Sequence, residues 1–82
     1  MYKIGVIGDR DSVLGFKSVG LDIYPTVEVQ DAKKTLRQWA ESEYAIIYIT
    51  EDLAVQLEKE IDKYKDSKLP AIIPIPNKDG PS

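Results

Sequence analysis

The chain has 82 residues, 30% of them charged and 43% hydrophobic, and a formal net charge of −3, which reads as one small soluble domain with a single core. The acidic balance gives no reason to expect nucleic acid or an anionic membrane surface as partner. Without cysteine there are no disulfides, thiolate nucleophiles or zinc–thiolate sites, and without histidine the usual neutral-pH base and commonest metal ligand are missing, so the composition weighs against an enzyme.

Ile4, Val6 and Ile7 around Gly5 predict a first strand over residues 3–8, apolar on both faces as in a parallel sheet. Asp9 and Asp11 suit the positive end of a short helix, with Asp11 or Ser12 as N-cap. Val13, Phe16 and then Lys17 or Gly20 carry it at helical spacing, and Gly20 is placed to stop it in a left-handed conformation. Residues 21–24 alternate like a strand with one wetter face, and Pro25 ends it.

After Thr26 the period lengthens. Val29, Ala32, Leu36, Trp39, Ala40 and Glu43 share one helical stripe, apolar until its last member, with Lys33, Lys34, Arg37 and Gln38 largely opposite. This predicts a second helix over residues 29–42, with Trp39 as its core anchor. Residues 44–49 form the longest apolar run, far too short to span a membrane and suited to a central strand buried on both faces. Thr50 is expected to cap the next helix, with Glu51 and Asp52 complementing its dipole. Leu53, Leu57, Ile61 and Tyr64 carry that third helix to about Lys65, while Lys59, Glu60, Lys63, Lys65 and Asp66 read as its solvated face. A loop over residues 66–68 leads to a last strand over residues 71–76, where Pro74 marks a sheet edge.

The order is therefore βαβαβαβ, an α/β fold of the Rossmann-like or flavodoxin-like kind with an open four-stranded parallel sheet in order 2-1-3-4. One domain over residues 1–76 is followed by a polar tail over residues 77–82. The first helix falls on one face and the second and third on the other. Strands three and four are apolar on both faces, yet no helix covers them on the first helix's side. Either a partner covers that face or the chain is the front part of a longer protein.

Ligands of such sheets collect at the carboxyl ends of the strands, here around residues 8–12. Gly5, Gly8 and Gly15 match a dinucleotide fingerprint only loosely, Asp9 and Asp11 would repel a pyrophosphate, and no phosphate-binding G-K-[ST] occurs. The same acidic loop lacks the Ser and Thr donors that a flavin phosphate wants. Asp9 and Asp11 could instead be the magnesium-holding pair of a receiver-type domain. That design needs a phosphoacceptor Asp ending the third strand, where this chain has Tyr48, Ile49, Thr50 and Glu51.

The run from Tyr2 to Val13 followed by Gly15 and Phe16 resembles the start of the F subunit of vacuolar-type and archaeal-type rotary ATPases. Residues 43–51 are similar to that family's third strand and its turn, and residues 70–76 to its fourth. The resemblance covers nearly the whole chain and is closest to bacterial members. It implies a non-catalytic central-stalk (rotor) protein of the V-type ATPase, cytoplasmic and peripheral to the membrane, that docks on the coiled coil of the D subunit. The subunit linking the stalk to the membrane ring is a further implied partner, and the work done is coupling of ATP hydrolysis or synthesis to H+ or Na+ transport. The family continues into a C-terminal helical segment, whereas this chain stops at Ser82, which suggests a truncated chain. No cofactor, metal or direct membrane insertion is expected. Strand ends and the uncovered face nominate Asp9, Arg10, Asp11, Ser12 and Phe16 with Pro74, Ile75, Pro76, Asn77 and Lys78 as docking residues. The alternative is a receiver-like signalling or small phosphate-binding domain using Asp9 and Asp11.

Overall fold

Apolar runs too short for helices become strands here, and the stripes between them become helices packed on the sheet. A computed structural model describes residues 1–16 and 20–77. Its elements in chain order are β1 (Lys3–Gly8), α1 (Arg10–Leu14), β2 (Leu21–Pro25), α2 (Val29–Ala40), β3 (Tyr44–Thr50), α3 (Glu51–Gln56), α4 (Glu58–Asp62) and β4 (Ala71–Ile75). All strand pairs are parallel and the order is β2-β1-β3-β4, as the sequence predicts. β1 and β3 are central, and the two proline-bearing strands are the edges.

The side-chain period of two splits the core into two layers. Ile7, Ile47 and Ile49 face α2 and α3, joining Ala32, Leu36, Leu53 and Leu57 in the larger cluster. Val6 and Ile75 face the other way and pack with Val13 of α1. Tyr44 would fall on the α1 side by simple alternation. Between the pairs Lys3↔Tyr44 and Ile4↔Ile46 one extra residue, Ala45, is inserted. That bulge reverses the parity and turns Tyr44 toward α2, where its ring stacks on Trp39 with centroids 4.7 Å apart.

Local structure corrects several expectations. Asp9, rather than Asp11 or Ser12, is the N-cap of α1: its Oδ2 accepts from the Ser12 N–H at 3.0 Å. The first helix stops at Gly15, well before Gly20, which does adopt a left-handed φ of 92°. Lys17 lies outside the described residues. α2 ends at Ala40, two residues early, and Glu43 is exposed beyond it. The expected third helix is broken at Leu57, whose φ of −108° and ψ of 21° leave the helical region while its side chain stays buried. Thr50 occupies the cap position of α3, but its buried hydroxyl makes no capping bond and has no partner among the described residues.

Glu60 differs most from its sequence reading. It is 4% exposed rather than solvated, because α4 lies against α2 and brings Glu60 to Arg37. Arg37 donates from Nε and Nη2 to the two carboxylate oxygens at 3.0 and 3.1 Å, and Lys63 Nζ and Tyr64 Oη donate at 3.3 and 3.2 Å. The Arg37 hydrogen bonds outweigh burial and pull the Glu60 carboxyl down to about 2.

Candidate docking surface

The carboxyl ends of β1, β3 and β4 are tied together by one side chain. Asn77, just past β4, donates from Nδ2 to Asp9 Oδ1 at 3.1 Å and to Asp52 Oδ1 at 3.0 Å, and its Oδ1 accepts from the Asp52 N–H at 3.2 Å. Burial works against ionisation of Asp9, but bonds from Ser12 and Asn77 outweigh it and hold its carboxyl below the ordinary carboxylate range. Asp9 is therefore occupied as a helix cap and as an acceptor. Asp11 is exposed on α1. Among the described residues no three acidic side chains converge as a metal site would require.

Beside this junction the start of α1 and the end of β4 enclose an open groove of about 550 Å³, lined by Asp11, Ser12, Leu14, Gly15, Phe16 and Pro76. Four of the sequence-nominated residues thus share one surface: Asp11, Ser12, Phe16 and Pro76. Within it Ser12 is largely buried and Leu14, not singled out from sequence, is 45% exposed. Arg10 is exposed on the same short helix. Ile75 is buried beneath α1, so it supports the surface from below. Pro74 lies on the opposite face, beside Ala54 and Ile61 of the α3–α4 layer. Lys78 lies outside the described residues.

Phe16 extends the groove onto the open sheet. Its ring stacks on Tyr48 of β3 with centroids 5.8 Å apart. Tyr48 pairs with Ile73 of β4 and Ile46 pairs with Ala71, so by strand parity these side chains project on the α1 side. α1 is only five residues long and cannot reach across them. Ile46 and Tyr48 are left half-buried and Ile73 is 40% exposed. A parallel sheet ordinarily has both faces covered. Tyr48 and Ile73 escape the motif-based nomination, although their parity and the shortness of the first helix were visible signals.

The chain matches the family model described as ATP synthase (F/14-kDa) subunit over residues 4–82. It is 48% identical over 81 residues to the F subunit of the V-type ATP synthase of Clostridium perfringens (strain 13 / Type A), covering 98% of this chain and 77% of the relative. The corresponding V-type F subunit of Fusobacterium nucleatum subsp. nucleatum is 46% identical over 80 residues, covering 98% of this chain and 76% of the relative. The F subunit of the A-type ATP synthase of Methanothermobacter thermautotrophicus is 41% identical over 82 residues, with 98% and 77% covered. With bacterial and archaeal relatives matched along nearly all its length, the chain belongs to the family of ATP synthase F subunits.

Proposed function

We propose that this chain is a non-catalytic central-stalk component of a V-type ATPase, peripheral to the membrane, which docks on the coiled coil of the D subunit. In that place it helps couple ATP hydrolysis or synthesis to H+ or Na+ transport. The observation that carries the reading is the apolar sheet face left open beside α1, with the Phe16–Tyr48 stack and the exposed Ile73 on it. A helix laid across this face would supply the covering layer that a parallel sheet ordinarily has on both sides. Family membership supplies the setting, and the engagement of Asp9 in capping and in the Asn77 bridge suits a structural role for the loop after β1.

The test is a titration of the folded chain against the purified D subunit, beside the Phe16→Ala variant. Saturable one-to-one binding that weakens several-fold in the variant supports the reading. No binding by a chain whose circular dichroism shows it folded would overturn docking on that coiled coil.

A further inference from the structure

We infer that the groove between α2 and the α3–α4 layer is a second contact surface, one that receives an acidic segment of a neighbouring protein in the assembly. The inference rests on incorporation of the chain into a V-type complex. The groove has about 690 Å³ of open volume and is centred on the helix break at Leu57. Lys33, Lys59 and Lys63 line it, and Lys33 also lines a smaller trough of about 390 Å³ along α2 that adds Lys34 and Arg37. In a chain of net charge −3 with 11 basic residues, these five form one contiguous patch.

Internal pairing uses only part of that charge. Arg37 and Lys63 are committed to Glu60. Lys33, Lys34 and Lys59 enter no ion pair among the described residues, and Lys33 is half-buried all the same. A lysine whose stem is already packed along the groove has less side-chain freedom to lose when its ammonium meets an external carboxylate. Glu58 lines the groove and Glu41 the trough, and each would repel an incoming acid placed close to it. Val55, 73% exposed, gives the groove an apolar rim. Cations beside an exposed Val fit a protein segment that carries both Asp or Glu and apolar side chains. A nucleic acid would meet the repulsion of the net-negative chain.

Position adds a geometric reason. The groove lies on the helix-covered side of the sheet, opposite the open face beside α1. A molecule held by its open face therefore presents this groove outward, toward whichever protein surrounds it.

The experiment is zero-length carbodiimide coupling of the purified, assembled complex, with linked peptides mapped by mass spectrometry. This chemistry joins an amine to a carboxylate only where they already touch. The expected result is amide links from Lys33, Lys34 or Lys59 to Asp or Glu of another protein of the complex. In a complex carrying the Lys33→Glu and Lys59→Glu substitutions, the Lys34 link should fall roughly tenfold through like-charge repulsion. Links from these lysines that stay within the chain, or intermolecular links only from Lys3, Lys65 or Lys68, would overturn the inference while leaving assembly intact. A chain that does not copurify with the complex at all overturns the assembly reading, a failure visible before any coupling is done.

Discussion

Trp39 of α2 takes the space that a side chain on Gly5 of β1 would need: a Cβ there would lie 2.6 Å from Trp39 Cε3 and 3.0 Å from Cη2. The indole is fixed from its other sides by the Tyr44 stack and by an edge contact with Tyr24 at 6.5 Å. It cannot retreat without disturbing both rings. Gly5→Ala should therefore cost about 1–3 kcal/mol by overpacking, with a drop in Tm of at least several degrees. Urea unfolding followed by Trp39 fluorescence measures this directly, and an unchanged midpoint would mean that the helix shifts freely.

The Glu60 cluster makes a pH prediction of definite sign. Its carboxyl sits near 2 in the folded protein against an ordinary 4.5, held down first by the Arg37 hydrogen bonds. Because the folded value is the lower one, its contribution is complete above pH 4.5 and is lost as pH falls toward 2. Glu60→Gln should lose about 1–3 kcal/mol at neutral pH and flatten the acid limb of the stability curve. Thermal melts of both proteins between neutral and acid pH would show it.

Tyr44 predicts the mirror image in alkali. Burial, followed by its 2.7 Å hydrogen bond to Asp22 and that carboxylate's charge, pushes its phenol from 10.0 up to about 12. The unfolded chain ionises first, so stability present below pH 10 declines as pH rises toward 12. Ultraviolet titration should show a phenol ionising late, and Tyr44→Phe should remove that step while softening the alkaline loss.

On the open face, Ile73→Thr keeps a β-branched shape suited to β4 while removing exposed apolar area. On the proposed docking to the D subunit, loss of about 1 kcal/mol of burial corresponds to roughly fivefold weaker binding. The fold should hardly notice, with a Tm within a few degrees of the parent. Unchanged affinity measured by calorimetry would move the docking surface elsewhere.

Much of this was legible because the responsible signals are local. The apolar residues of β1 and β3 and the two edge prolines are enough to order the sheet. The stripe through Val29, Ala32, Leu36 and Trp39 locates α2 and its buried side. What escaped depends on contacts distant in sequence. Leu57 continues the apolar period without interruption, so nothing in the spacing reveals the break there. Glu60 looks like any surface acid until Arg37, 23 residues earlier, is seen beside it. Asp9, Asp11 and Ser12 are each acceptable caps, and only the Asp9 bond to the Ser12 N–H chooses between them. The docking nominations mixed both faces of one strand, because Pro74 and Ile75 are neighbours in sequence but point opposite ways across the sheet.

Both outer strands carry a proline, Pro25 at the end of β2 and Pro74 within β4. A strand approaching either edge finds a position with no N–H to offer. The hydrogen-bond ladder is thus insulated at its margins, and copies of the sheet are poor templates for one another even when crowded. Adhesion is left to the two broad faces, where side-chain shape and charge can tell one neighbour from another.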